Sequence, residues 1–213
     1  VEVEKKDFSA ALEWLTKATR KSLPGAHRAM SRYYMAQTNY DQALGSLKRA
    51  QEIKTEDNET DLAFAEVYAI TNDKMRAKQH IDDILKRQAN NIEALYLLAK
   101  LLLEEQNYSR VQELCAKILN TNIKYTAAYQ LAGISYLRQL NNNNDDKKLR
   151  KEALKYLRLA EISDTKDLKT TVLLAVALEQ QEEWQPAVKK ILDAPHGLNK
   201  AKEVLTTELQ DKQ

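Results

Sequence analysis

Apolar side chains recur along the chain at the three- and four-residue spacing of amphipathic helices, most clearly in residues 92–119. The first half of this stretch is apolar on nearly every side, and Glu93, Lys100 and Glu104 share the one polar face. The second half is an ordinary amphipathic helix whose apolar side carries Val111, Leu114, Cys115, Ile118 and Leu119. Such a helix pair cannot bury its apolar surface alone, so the pattern predicts stacking on similar pairs.

The same pattern repeats with a period of 34 residues. A small residue recurs in each predicted first helix at intervals of 34, 34, 34 and 42 residues: Ser31, Ala65, Ala99, Gly133 and Ala175. A second series recurs in each predicted second helix at intervals of 34, 34, 42 and 34 residues: Ala43, Ala77, Val111, Ala153 and Ala187. Two helices and two short turns fill about 34 residues, so the period predicts an array of helix pairs with one insertion of eight residues.

The repeat has a small residue, a bulky residue three positions later, an aromatic residue at the start of several second helices and then an alanine. Residues 40–50 and 184–187 show this second-helix pattern most closely, whereas Lys74 and Arg150 stand where an aromatic residue is usual. Over about residues 8–194 the chain resembles the tetratricopeptide repeat family. The resemblance implies an all-α, right-handed superhelical solenoid of antiparallel helix pairs.

The predicted organisation is one solenoid over residues 1–213, with an N-terminal half repeat, about five whole repeats and a C-terminal capping helix. The predicted segments are the half repeat 7–23, the repeats 24–57, 58–91, 92–125, 126–167 and 168–197, and the capping helix 198–210. The half repeat lacks a first helix, which suggests that the array begins inside a longer one. The polar segment 141–148 is predicted to be a solvated loop. In the turns, Asn39, Asn72 and Asn107 are expected to adopt the left-handed backbone conformation.

Composition excludes several classes of protein. With 4 glycines and 3 prolines the chain is poor in turn-forming residues, which argues against a β sandwich. The 33 basic and 31 acidic side chains nearly cancel, so no nucleic-acid partner is expected. No uncharged apolar run is long enough to insert into a membrane. The single cysteine cannot form an intramolecular disulfide and leaves the compartment open between cytoplasm and periplasm.

The sequence contains no recognisable catalytic or metal-binding pattern. His27, His80 and His196 are widely separated in the repeat and lack partners at metal-ligand spacing. Cys115 falls on the inward face of a second helix, which favours a packing role over that of a nucleophile. The glycines are isolated, so no phosphate-binding loop is expected. We therefore expect no enzymatic activity, no metal and no cofactor.

The resemblance implies that ligands bind the concave face lined by the first helices. The 34-residue period locates the equivalent positions of that face in each repeat. These positions are the predicted partner-binding residues: Arg28, Arg32, Leu62, Glu66, Tyr96, Lys100, Gln130, Ile134, Arg138, Val172 and Val176. The apolar members Tyr96, Ile134, Val172 and Val176 are expected to be exposed, as at an interaction site. The alternative is that neighbouring first helices or the final helix cover them.

Charged residues in the predicted groove argue against one mode of binding. Some family members hold a peptide carboxylate with lysine and asparagine side chains. Arg28 and Arg32 are expected to form a basic entrance, but the adjoining repeat presents Glu59 and Glu66, which disfavours such a clamp.

Two functions remain open at this point. One is an interaction scaffold that binds a partner peptide or helix in the groove, as part of a larger assembly. The other is a structural spacer or a self-associating array whose groove is filled internally, which would allow an oligomer. A third possibility, an oligosaccharide- or lipid-handling role in an envelope assembly, rests only on the assemblies in which such repeat proteins often occur in bacteria.

Overall fold

The computed structural model describes residues 12–142, 147–163 and 167–179, together with Pro186, Lys189 and Asn199. All regular structure in these ranges is α-helical. The helices are α1 (12–19), α2 (Pro24–Ala36), α3 (Tyr40–Ile53), α4 (Asn58–Ile70), α5 (Lys74–Arg87), α6 (Ile92–Glu104), α7 (Tyr108–Thr121), α8 (Thr126–Asn142), α9 (Lys147–Ser163) and α10 (Leu168–Glu179). None of these helices is long and apolar enough to cross a bilayer. Three predicted segments lie wholly or almost wholly outside the described residues. They are residues 7–11, the second helix of the last repeat (168–197) and the capping helix.

The chain divides into two compact units, Val1–Leu97 and Leu98–Gln213. In the first unit α2 packs on α3 and α4 packs on α5, and α4 also contacts α2 and α3. In the second unit α8 packs on α7 and α9, and α10 packs on α8 and α9. Each unit is therefore built from consecutive helix pairs. The organisation of residues 1–213 as a single solenoid stays a prediction.

The starts of the first helices follow the period of the sequence. Pro24, Asn58, Ile92 and Thr126 are successively 34 residues apart, and Leu168 follows 42 residues later. Pro24 occupies the first turn of α2, where a missing backbone N–H costs nothing.

Part of the predicted loop 141–148 is helical, so that prediction is wrong at both ends. Helix α8 continues through Asn142 and α9 begins at Lys147, and each has 17 residues, whereas α6 has 13 and α7 has 14. Once a helix has formed, each added residue gains one more hydrogen bond, and Lys147 is a good helix former. The insertion therefore lengthens both helices, while residues 143–146 lie outside the described ranges.

The core is built from the same repeat positions. The small residues Ser31, Ala65, Ala99, Gly133 and Ala175 are all buried. On the second helices two series of positions are fully buried: Ala43, Ala77, Val111 and Ala153, and, four residues later, Leu47, Ile81, Cys115 and Leu157. A Cβ atom on Gly133 would lie 2.5 Å from Cγ of Leu157, so the absence of a side chain permits the close packing of α8 on α9.

Cys115 belongs to this core, as the sequence predicts. Its side chain is fully buried, and burial raises the pKa of its thiol to about 12. The thiol therefore stays protonated at neutral pH, which suits a packing residue and not a nucleophile.

The predicted left-handed turn residue is confirmed at Asn72, and in the other two turns it lies one position earlier than predicted. The residues in the left-handed conformation are Thr38, Asn72 and Gln106, with φ of 57°, 61° and 59°. The residues that follow them are helix N-caps whose side chains accept hydrogen bonds from backbone N–H groups: Asn39, Asp73 and Asn107. The expectation for Asn39 and Asn107 is wrong. These asparagines occur because an N-cap needs a side-chain acceptor, and the N-cap lies one position after the left-handed residue.

Candidate functional site

The predicted partner-binding residues fall into two groups with different surroundings. In the first unit Arg32 is exposed, whereas Arg28, Leu62, Glu66 and Tyr96 are half-buried. These residues lie on α2, α4 and the beginning of α6, and we call the side that carries them the first-helix face. In the second unit Lys100 is exposed and Gln130 is half-buried, but the remaining four residues are buried: Ile134, Arg138, Val172 and Val176.

The expectation that Ile134, Val172 and Val176 are exposed is wrong. Their exposed fractions are 1%, 0% and 9%. Helix α10 packs against both α8 and α9, and its side chains from residue 172 to residue 178 are all buried. These three residues therefore present no exposed apolar surface, and Tyr96 is the one of the four that is only half-buried.

Arg28 is engaged within the first unit. Its guanidinium lies 2.5 Å from the carboxylate of Asp57 and also binds Glu59. Asp57 is only 6% exposed, and its Oδ2 accepts a hydrogen bond of 2.6 Å from the hydroxyl of Thr60. Lys54 contacts the other oxygen of Asp57 at 3.0 Å. Arg28 thus joins α2 to the start of α4, and the predicted basic entrance is largely neutralised.

The same arrangement recurs in the second unit with uncharged donors. Gln130 corresponds to Arg28 by the repeat period, and its Nε2 donates to Oδ2 of Asp167 at 2.6 Å and to Oγ1 of Thr170 at 2.7 Å. Asp167 and Thr170 correspond in turn to Asp57 and Thr60. In these two repeats a polar side chain of one first helix therefore binds the N-terminal end of the next first helix.

A second buried carboxylate lies at the other side of α4. Asp61 is 5% exposed, binds the guanidinium of Arg87 and lies 2.9 Å from Nδ1 of His80. The His80 ring stacks on Phe64 with the ring centroids 4.8 Å apart. These contacts hold α5 against α4. His80 therefore has a structural role. No group of three potential metal ligands occurs among the described residues.

A small cavity in the preceding repeat lies where the residue equivalent to His80 has no ring. By the period, Tyr156 corresponds to His80 and stacks on Tyr136 at 5.7 Å, so a ring fills this position twice. In the first whole repeat the corresponding residue is Ser46, preceded by Gly45. A cavity of about 350 Å³ remains there, lined in part by Gly45, Ser46 and Tyr34.

A second cavity of the first unit, of about 600 Å³, opens beside the first-helix face. We call it the acidic cavity. Its walls are the two loops that precede α4 and α6 and the first turns of those helices, and its lining residues are Lys54, Glu56, Asp57, Asn58, Glu59, Leu62, Arg87, Gln88, Asn91 and Glu93. Leu62 is its one apolar residue and belongs to the predicted partner-binding set.

Hydrogen bonds fix the loops around the acidic cavity. Nε of Arg87 donates to Oδ1 of Asn58 at 2.8 Å, and Nδ2 of Asn58 donates to the side chain of Gln88 at 3.2 Å. Asn91 donates to the same Gln88 oxygen at 3.0 Å and accepts the backbone N–H of Ala94 at 2.9 Å. The cavity is thus largely preformed, as ligand sites usually are, although its walls are mainly polar.

The pH dependence of stability should report on Asp57. Burial raises the pKa of Asp57, but hydrogen bonds from Thr60 and Lys54 and the charge of Arg28 outweigh burial and hold its pKa below the ordinary value. A carboxyl with a depressed folded-state pKa stabilises fully above its unfolded-state pKa, about 3.9, and this contribution is lost as the pH falls through the folded-state pKa. We expect Asp57→Asn to cost about 1–3 kcal/mol at neutral pH and progressively less in acid.

Urea unfolding of the wild type and of Asp57→Asn between pH 7 and pH 2.5 measures this difference. Asp82→Asn is the matched control because Asp82 is exposed, and its effect should stay within about 0.5 kcal/mol. A loss for Asp57→Asn that is equally large at both ends of the pH range would contradict the assignment of Asp57 as a stabilising carboxylate.

Comparison with solved structures identifies the fold. The chain matches PilF of Pseudomonas aeruginosa with a TM-score of 0.71 at 16% sequence identity, over 86% of this chain and 78% of that one. It matches yeast Tom70 with a TM-score of 0.74 at 16% identity, over 91% of this chain and 41% of Tom70. It also matches YrrB, a tetratricopeptide repeat protein described as having an unusual peptide-binding site, with a TM-score of 0.58 at 16% identity, over 88% and 97% of the two chains.

These similarities confirm the predicted fold class. The neighbours are tetratricopeptide repeat proteins, and the present chain has an all-α fold of the tetratricopeptide type built from helix pairs. No family model and no curated protein matches the sequence itself. At these low identities the structural matches define the fold and leave the function to be argued from the site.

The buried carboxylates of the site, Asp57 and Asp61, are not predicted from the sequence. Asp57, Asp61 and Arg87 find their partners about 20 to 30 positions away along the chain, and local periodicity does not report such pairs. One signal was available. The motif Asp-x-x-Thr precedes or opens two first helices, at 57–60 and 167–170, and this motif is typical of helix N-termini.

Proposed function

We propose that this protein is an interaction scaffold that binds a segment of a protein partner along the first-helix face of the first unit. The observation that carries the proposal is the acidic cavity, whose volume of about 600 Å³ falls in the range of ligand-binding clefts. The cavity contains Leu62, and the exposed Arg32 and the half-buried Tyr96 belong to the same face. An apolar residue beside charged and aromatic residues provides both anchoring and orientation for a polypeptide.

The fold supports a polypeptide ligand more than a chemical reaction. YrrB shares the fold and is described as having a peptide-binding site. The buried carboxylates Asp57 and Asp61 are paired with cations, and Cys115 is a protonated core residue. We therefore propose a binding protein without enzymatic activity, acting within a larger protein assembly.

The alternative of a structural spacer is favoured by one observation in the second unit. There the apolar residues expected to face a groove, Ile134, Val172 and Val176, are buried by the packing of the helices themselves. We propose that the second unit has a mainly structural role and that the partner binds the first unit.

Photo-cross-linking from single positions tests the proposed function. A p-benzoyl-phenylalanine placed at Tyr96 replaces one aromatic ring by another, and a second one at Arg32 probes an exposed residue of the same face. The control position is Met75 on α5, which is 80% exposed and lies on a second helix. In lysate of the natural host we expect a discrete partner adduct from residues 32 and 96 and none from residue 75. The same adduct from all three positions would count against a specific face.

A further inference from the structure

The acidic cavity has a net negative charge in a chain whose overall charge is +2. Its lining includes two cationic residues, Lys54 and Arg87, and four anionic residues, Glu56, Asp57, Glu59 and Glu93, which leaves a formal charge of −2. Counting the ion-pair partners Arg28 and Asp61, which lie outside the lining, adds one charge of each sign and leaves the balance unchanged.

The cations of the acidic cavity are already bound. Lys54 contacts Asp57, and Arg87 binds Asp61 and Asn58. By contrast, the carboxylates of Glu56 and Glu93 are exposed and make no ion pair with any residue in the described part of the chain. The charge available to a ligand at the mouth of the cavity is therefore negative.

The two helix N-termini beside the acidic cavity do not reverse this sign. Each contributes about half a positive elementary charge, so together they offset about half of the formal charge of −2. The carbonyl of Asp57 accepts the N–H groups of Thr60 and Asp61, and the side chain of Asn91 accepts the N–H of Ala94, so these three donors are already used within the chain. An anionic ligand such as a peptide carboxylate is thus disfavoured, and a cation is favoured.

The lining of the acidic cavity favours arginine among cations. Leu62 is half-buried in its wall and can contact an aliphatic stem, while the carboxylates of Glu56 and Glu93 are exposed to solvent. An arginine side chain combines such a stem with a planar guanidinium that donates two parallel hydrogen bonds to a carboxylate. A lysine ammonium offers the charge without this planar fork.

We infer that the acidic cavity binds an arginine side chain of the partner segment that occupies the first-helix face. This inference rests on the proposed function, because it names the partner chemistry recognised at the same site. The guanidinium binds the carboxylates of Glu56 and Glu93, and the stem packs on Leu62. The partner segment is accordingly basic at this point, which complements the negative charge of the cavity.

Selection from a random twelve-residue peptide library displayed on phage tests the inference with the full chain. We expect peptides enriched in arginine from the wild type. The double variant Glu56→Gln/Glu93→Gln should still select peptides but lose the arginine enrichment. The control Glu13→Gln/Glu113→Gln removes the same two charges from exposed positions on α1 and α7 and should retain the enrichment.

The affinity of one selected peptide gives the size of the effect. Replacing its arginine by norleucine should weaken binding to the wild type and to the control about tenfold, and binding to Glu56→Gln/Glu93→Gln about twofold or less. Glutamate enrichment, absence of arginine enrichment, or an arginine preference that survives in Glu56→Gln/Glu93→Gln would overturn the inference and leave the proposed function standing. Failure of the wild type to select any peptide would overturn the proposed function as well.

Discussion

Replacing Val172 by aspartate is expected to unfold the second unit. Val172 is fully buried in α10, and its neighbours from Leu173 to Leu178 are buried as well. An uncompensated carboxylate in such a site costs several kcal/mol, and we expect a loss of about 4 kcal/mol or more. A loss of that size is comparable to the total stability of many domains, so the variant should lose cooperative unfolding of this unit.

Ile162 provides the matched control for the substitution of Val172. It is also β-branched, lies near the end of the adjacent helix α9 and is 75% exposed. Ile162→Asp should change the unfolding free energy by no more than about 1 kcal/mol, since it only adds a charge near a helix C-terminus. Thermal unfolding followed by circular dichroism separates the two variants. Equal stability of Val172→Asp and the wild type would show that α10 is not packed as described.

Replacing Gly133 by alanine is expected to destabilise the protein although alanine favours helices. The new Cβ would lie 2.5 Å from Cγ and 2.6 Å from Cδ2 of Leu157, which is fully buried and has little freedom to move. Overpacking of this kind costs about 1–3 kcal/mol. Urea unfolding should therefore show a lower midpoint with an unchanged slope.

Gly45→Ala is the control because the chemical change is the same in a different environment. A Cβ on Gly45 meets nothing within 4 Å, and Gly45 is exposed in α3. This variant should gain about 0.5–1 kcal/mol from the higher helix propensity of alanine. In addition, Gly133→Ala should cease to be destabilising in a Leu157→Ala background, because the obstructing side chain is gone. Equal effects of the two glycine substitutions would contradict the close packing of α8 on α9.

The helix pairs could be predicted from the sequence because their signal is local and repeated. Ala65 and Ala99 mark buried positions on consecutive first helices, and the interval between them equals the interval between the starts of α4 and α6. Each repeat must bury the same faces, so the same pattern of small and large residues returns at each repeat.

The 34-residue periodicity does not predict which residues of the predicted site are accessible to solvent. Periodicity assigns Leu62 and Val176 to equivalent sides of their helices, but coverage by neighbouring helices decides that Leu62 stays half-exposed while Val176 is buried. The charge pairs of Asp57 and Asp61 join residues distant in sequence, which a single sequence does not reveal. The acidic cavity is bordered by the starts of α4 and α6 and by the loops that precede them, and local periodicity does not predict that these segments come together.

The central claim is that the first-helix face of the first unit holds a partner polypeptide, and the yield of cross-linking from residue 96 relative to residue 75 tests it most directly. Tyr96 lies on that face, and Met75 is more exposed but lies on a second helix. We expect a single partner adduct from residue 96 and none from residue 75, because only residue 96 lies on the face that enters the interface. An equal yield from both positions, or a partner adduct from residue 75 alone, would contradict it.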